Sequence, residues 1–368
     1  MENWLVASQT RFAFKLFAAL AEREPGRNLF VSPASVALAL AMTYQGARGE
    51  TRQAMAAALE LGNSDLQALN RASADLLDSL RGADPQVALA IASSLWARVG
   101  QDFSAEFMSA VRSSYDAQLF QVDFASAAPA INGWVGRHTG GKIDRIVDRI
   151  DPATILLLIN AIYFKGSWSR QFDRRLTREA PFTLLDGRQV QLMLMSQSGK
   201  YPYYAGDGFQ AVRLTYGAGR LSMYVFLPDT RLGLPGFQRL LEARSWDTWM
   251  ARFRATEGHV ALPRFKIAYE ARLNQALEAL GMAVAFGSRA DFSGMGVGAV
   301  RIDEVRHKTL VEVNEEGAEA AAATSVSMVR ASFVPQRTFS MVVDRPFFCA
   351  IRDDQTGAIL FMGSIVEP

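Results

Sequence analysis

The sequence predicts a mixed α+β chain that folds as one domain over residues 1–368. Three observations carry this. Helix-period stretches and helix start signals crowd residues 8–59, apolar strand-like runs dominate from residue 154 onward, and no internal repeat, low-complexity linker or composition break divides them. The length of 368 residues alone would also admit two domains.

Residues 8–22 carry Phe12, Leu16, Phe17 and Leu20 at helical spacing and read as an amphipathic helix. Asn28 to Val31 is a short strand. Ser32-Pro33 then opens a helix, serine as cap and proline in the first turn, running through Met42 and stopping near Gly46. Another helix starts at Gly49-Glu50-Thr51 and reaches Leu59. Val87 to Val99 reads as a strand and Ala128 to His138 as a helix. Thr154 to Phe164 is a buried strand, followed by strands at Leu221–Leu227, Gly258–Phe265 and Lys308–Val313. Leu273 to Leu280 is a helix ended by Gly281. Two apolar strands, Phe347–Ile351 and Ile359–Phe361, flank Arg352-Asp353-Asp354-Gln355-Thr356-Gly357, which is hairpin-turn chemistry.

Composition excludes several functions. With 49% apolar and 21% charged residues the chain is an ordinary globular one with a sizeable core. A net charge of +2, with arginines scattered and no basic run, predicts neither nucleic acid nor an anionic membrane as partner. No helix-like stretch clusters lysine or arginine, so no glycosaminoglycan site is expected. The longest apolar run, Ile155 to Phe164, contains Asn160 and is too short to span a membrane. Met1-Glu2-Asn3-Trp4 shows no signal peptide, so the compartment is cytoplasmic, or secreted with a leader removed. Cys349, the one cysteine, lies in an apolar run and reads as a small buried hydrophobe.

Chemical motifs are equally sparse. His138, His259 and His307 are far apart and no group has metal-ligand spacing, so no metal or cofactor is expected. Gly136-x4-Gly141-Lys142 copies most of a phosphate-binding loop, but Ile143 replaces the hydroxyl that would hold magnesium. No Ser-His-Asp arrangement can be argued, and nothing supports an enzyme.

One stretch contradicts itself. Glu315-Glu316-Gly317-Ala318-Glu319-Ala320-Ala321-Ala322-Ala323-Thr324 has the composition of a helix, while Ser325-Val326-Ser327-Met328-Val329 alternates like a strand. A segment compatible with both states, lying between strong strands, reads as a conformational switch.

The residues resemble the serpin family from about residue 8 to the end. The matching motifs are Asn28-x-Phe30-x-Ser32-Pro33-x-Ser35, Asn160-Ala161-Ile162-Tyr163-Phe164-Lys165-Gly166-x-Trp168 and Leu262-Pro263-Arg264-Phe265-Lys266-Ile267. Ala290-Asp291-Phe292-Ser293-Gly294, His307-Lys308-Thr309, Val313-Asn314-Glu315-Glu316-Gly317 and Asp344-Arg345-Pro346-Phe347 through Phe361-Met362-Gly363 complete the set. The resemblance implies three β-sheets, eight or nine helices and an exposed reactive loop at about 315–337. It also implies a monomer that inhibits serine proteases irreversibly. The protease cuts the loop and is held as an acyl-enzyme while the loop enters the large sheet as a new strand, a serpin mechanism general enough to serve as a standard example of strand addition.

By the family's spacing from hinge to scissile bond, the predicted bond is Ala331–Ser332, whose small residues suit elastase-like or subtilisin-like proteases. Arg330–Ala331 is the trypsin-like alternative. A strand entering a sheet presents alternate residues to the core. Ala318, Ala320, Ala322, Thr324, Val326 and Met328 form one small or apolar parity, and the charge of Glu319 falls on the other. The family prefers Thr or Ser where Ala318 stands, a departure that keeps the position small. About fourteen inserted residues at ~3.3 Å each carry the loop end roughly 45 Å. About a dozen new ladder bonds at ~1 kcal/mol each make the uninserted form metastable.

The resemblance also assigns controls. Ser32, Ser35, Asn160 and His307 form the shutter where the sheet opens; without it, Ser32 reads as a plain helix cap and His307 as a satisfied core histidine. Trp168 and Arg264 belong to the breach, with Arg264 paired to Glu315. The other functional class is a non-inhibitory serpin serving as carrier, chaperone or storage protein, which tends to carry bulky or charged hinge residues that this chain lacks.

Overall fold

The computed structural model describes residues 3–298, 300–316 and 338–368. The elements begin with α1 (Asn3–Arg23), β1 (Leu29–Val31), α2 (Pro33–Tyr44), α3 (Gly49–Ala58), α4 (Leu66–Leu80), β2 (Val87–Arg98), α5 (Ala105–Tyr115), β3 (Gln118–Val122) and α6 (Ala128–His138). The middle of the chain is β4 (Leu156–Gly166), β5 (Arg178–Thr183), β6 (Gln189–Gly206), β7 (Phe209–Tyr216), β8 (Leu221–Pro228), α7 (Gly233–Gln238), α8 (Ala243–Met250), β9 (Arg254–Pro263) and β10 (Phe265–Arg272). Then come α9 (Asn274–Leu277), α10 (Ala283–Phe286), β11 (Glu304–Val313), β12 (Phe339–Val342), β13 (Phe347–Asp353) and β14 (Ile359–Ile365).

Local chemistry accounts for the helix that matters most to the site. Ser32 has extended backbone angles, and its hydroxyl accepts the Ser35 N–H at 3.4 Å while Pro33 occupies the first turn. Every residue of α2 is buried, as an apolar surface all round requires. Helices α4 and α5 were not among the expected elements. Leu69, Ala72, Ser73, Leu76, Leu77 and Leu80 are the buried face of α4, and that helical spacing is the signal that finds it.

One expected element is redrawn. The run Gly258–Phe265 is not one strand: β9 ends at Pro263 and β10 starts at Phe265, in different sheets. Between them the Arg264 N–H donates to Met193 O at 3.0 Å. The apolar pattern continues unbroken through Pro263 and conceals the change of sheet. The helix that follows Leu273 ends at Gly281 as expected: Gly281 leaves the helical region at φ 100°, and α10 starts anew beyond it. Glycine alone takes that angle without strain.

The strands form a five-stranded sheet, in the order β10-β11-β4-β2-β3, and a nine-stranded sheet, β1-β14-β13-β8-β7-β6-β9-β12 with β5 on β6. Two of the three sheets implied by the resemblance are continuous through β6. The first part of that strand pairs with β5 and β9, and its last residues, Tyr203–Gly206, pair with β7.

The main core lies between the two sheets and includes α2. A second, smaller core lies where Ile131, Trp134 and Val135 of α6 cover Trp96, Leu157, Ile159 and Ala161 of the five-stranded sheet. Within that sheet β4 and β11 are parallel neighbours, while β10 and β2 flank them antiparallel.

Candidate functional site

The line between β4 and β11 gathers the predicted control residues. Pairing runs from Glu304↔Leu157 to Leu310↔Tyr163 and stops there. Both strands continue: Val311–Val313 pair with β10 only, and Phe164–Gly166 with β2 only. The seam is therefore closed below and splayed at its upper end.

At mid-seam, His307 and Asn160 are direct register partners. The Ser32 backbone N–H donates to His307 Nε2 at 3.0 Å, so that nitrogen holds a lone pair and the proton sits on Nδ1. Nδ1 then donates to Asn160 Oδ1 at 2.7 Å. The Asn160 amide donates in turn to Ser35 Oγ at 2.6 Å and to Ser93 Oγ at 2.9 Å. One chain of bonds thus ties β11, β4, β2 and α2 together. Burial lowers the His307 pKa to about 3, so the ring stays neutral.

The upper end is held by a second group. Trp168 stacks on Tyr216 with ring centroids 4.3 Å apart and 11° between planes, and its Nε1 donates to Asn314 O at 2.8 Å. The Trp168 and Phe172 backbone N–H groups donate to the carbonyls of Glu316 and Glu315, at 3.0 and 2.9 Å. Arg264 donates to Glu315 Oε1 from Nε at 2.8 Å and again from Nη2. Thr177 Oγ1 donates to the same oxygen, and Arg174 pairs with Glu316. Glu315 is 3% exposed. Burial raises its pKa, but the hydrogen bonds from Arg264 and Thr177 outweigh that and hold it below the ordinary glutamate value.

All four predicted shutter residues come together, as do Trp168, Arg264 and Glu315. Sequence reasoning missed Ser93, Thr177, Phe172 and Arg174. Gly317, Ala318, Glu319, Ala320, Ala321, Ala322, Ala323 and Thr324 lie outside the described residues. So do Arg330, Ala331 and Ser332. Among the described residues no group of three or more His, Cys, Asp or Glu could hold a metal ion. His138 Nδ1 donates to Trp134 O and His259 Nδ1 shares a hydrogen bond with Ser198 Oγ, each away from the seam. Cys349 is buried, which pushes its thiol up to about 12. No helix among the described residues is long and apolar enough to cross a membrane.

The sequence profile described as serpin (serine protease inhibitor) matches residues 7–368. The chain belongs to the serpin family. Leukocyte elastase inhibitor of Bos taurus is 37% identical over 383 residues, 99% of each chain. Serpin B8 of Homo sapiens is 37% identical over 368 residues, 97% of each. Among solved structures, the thermophilic serpin tengpin in its native state superposes with a TM-score of 0.92 at 29% identity, covering 100% of this chain and 95% of that one. Human thyroxine-binding globulin does so with a TM-score of 0.90 at 25% identity, covering 99% and 98%. The fold is the serpin fold, and in this serpin the parallel neighbours β4 and β11 part at the end of the seam that lies beside Glu315.

Proposed function

We propose that this serpin is an irreversible suicide-substrate inhibitor of serine proteases, working as a single-domain monomer that holds its target as a covalent acyl complex. The observation that carries this reading is the splayed upper end of the seam beside Glu315. A chain that leaves β11 at Glu316, turns and descends between β4 and β11 would replace one parallel pairing with two antiparallel ones. Antiparallel pairing is slightly the more stable per residue. The small residues Ala318, Ala320 and Ala322 on one parity of the hinge, with Glu319 on the other, support entry.

The reactive bond is Ala331–Ser332, the hinge is Glu315 to Thr324, the shutter is Ser32, Ser35, Asn160 and His307, and the breach is Trp168 with Arg264. An elastase-like or subtilisin-like target follows from the small residues at 331 and 332. The names of the leukocyte elastase inhibitors that match over 99% of this chain support it. A trypsin-like protease cutting after Arg330 is the second reading, favoured by the arginine one position upstream.

The test is incubation with elastase, subtilisin and trypsin, scored for an SDS-stable complex, with sequencing of the released C-terminal peptide. A peptide starting at Ser332 is expected; one starting at Ala331 selects Arg330. Cleavage with neither a stable complex nor a gain in thermal stability sinks the inhibitory reading.

A further inference from the structure

The seam is also held at its foot, by a residue outside the shutter and the breach. Asp303 immediately precedes β11, and its backbone N–H donates to Leu156 O at 2.9 Å. Its carboxylate crosses the same line: Oδ2 accepts the N–H of Ile155 at 2.6 Å and that of Leu156 at 3.2 Å. Oδ1 accepts from Arg301 Nε at 3.0 Å. The Asp303 carbonyl accepts from Asn274 Nδ2 at 2.9 Å, and Asn274 Oδ1 accepts the Val305 N–H at 3.1 Å. Asp303 is thus anchored on its own side while it grips the start of β4. Its side chain is 14% exposed, so the bonds it makes are charge-assisted ones in a largely dry place.

The Leu156 carbonyl and the Asp303 N–H face each other across the seam. A strand lying between β4 and β11 at this level would displace all three bonds from Asp303 to β4. From Val313 down to Asp303 is about ten residues, so a descending strand that starts opposite Val313 reaches Asp303 after roughly 33 Å at ~3.3 Å per residue. The fourteen residues between Glu316 and Ala331 are enough chain to cover that distance. Beside Asp303 a cleft of 580 Å³, lined by Arg272, Asn274, Gln275, Glu278 and Arg301, gives a released carboxylate access to solvent.

We propose that Asp303 is a positioning residue for the last stage of insertion. It clamps the foot of the seam in the uninserted form and must let go before the end of the cut segment that carries the protease can seat. This rests on the inhibitory reading and adds a control that neither shutter nor breach supplies.

The test compares wild type with Asp303→Ala and Asp303→Asn, each as intact protein and after loop cleavage by thermolysin, a zinc protease that forms no acyl-enzyme. Thermal midpoints are measured for both forms, together with the rate of SDS-stable complex formation at saturating elastase. The clamp predicts a lower midpoint for the intact alanine variant and an unchanged midpoint for the cleaved one. It also predicts about tenfold faster complex formation, equivalent to ~1.4 kcal/mol in the barrier. Asp303→Asn keeps one acceptor oxygen and falls between, and it carries the test should the alanine variant not fold. Equal loss of stability in both forms, or an unchanged rate, overturns the proposal. Wild type that neither gains stability on cleavage nor forms a complex instead refutes the inhibitory reading.

Discussion

His307 donates its Nδ1 proton to Asn160 Oδ1 at 2.7 Å, and the two residues stand opposite each other in the parallel pairing of β11 with β4. The bond lies on the line along which the sheet would part. Any strand that enters here must break it, so the state of one buried, neutral imidazole bears on the stability of the uninserted form.

His307 makes that stability depend on pH. Its pKa is lowered from 6.5 to about 3 by burial. Below pH 6.5 the unfolded chain takes up a proton that the native ring refuses. The contribution of His307 is therefore full above that value and declines toward pH 3, by about 1.4 kcal/mol per unit. Urea midpoints near about pH 7.5 and about pH 4.5 are expected to differ less in His307→Gln than in wild type. An equal difference in the two proteins would remove His307 as the cause.

Glu315→Lys would place a cation against Arg264 and leave Thr177 and Arg264 without their shared acceptor. Glu315 is buried but the Arg264 side chain is 41% exposed, so solvent screens the pair and the loss costs about 1–3 kcal/mol. The upper end of the seam is then released, and loop insertion between molecules is expected to give an oligomer ladder on native gels after mild heating. Unchanged monomer would count against the role given to Glu315.

Trp168→Phe keeps a ring over Tyr216 but loses the donor to Asn314 O. The loss of one hydrogen bond is worth about 1 kcal/mol. Heat-induced polymerisation is expected to quicken severalfold, followed by light scattering; a wild-type rate would show that the Nε1 bond does not restrain the breach.

Ser93→Ala removes one of the two hydroxyls that the Asn160 amide reaches. The expected cost is about 1 kcal/mol, seen as a thermal midpoint about 2 °C lower by calorimetry. No change would mean that Ser35 alone satisfies the amide.

Much of this site was legible residue by residue. Asn160 stands out as a lone amide in an apolar strand, Ser32-Pro33 as a helix start, and Glu315-Glu316-Gly317 as a hinge by family resemblance. Ser93 was not legible, because one of two adjacent serines in an otherwise apolar strand gives no sign of its partner until the neighbouring strand is known. Asp303 looks from the sequence like half of a local pair with Arg301, and its grip on Ile155 and Leu156 crosses about 150 residues of chain. Thr177 sits outside any regular element and meets Glu315 only through folding. The false continuity of Gly258–Phe265 has the same root, since periodicity reports which face a residue takes and not which sheet it joins.

The sequence by itself determined the family, the starts of α2, α3 and α6 and many of the strands, because caps, periodicity and motif order are local properties of the chain. It also set the small, uncharged parity of residues 318 to 328 that makes an inserting strand possible. Only the tertiary structure decided that β4 and β11 adjoin in parallel, that their pairing ends at Tyr163 and Leu310, and that Asp303 closes the foot. Asn160 and His307 lie 147 residues apart. Which strands become neighbours depends on contacts at that distance, and no local pattern encodes them.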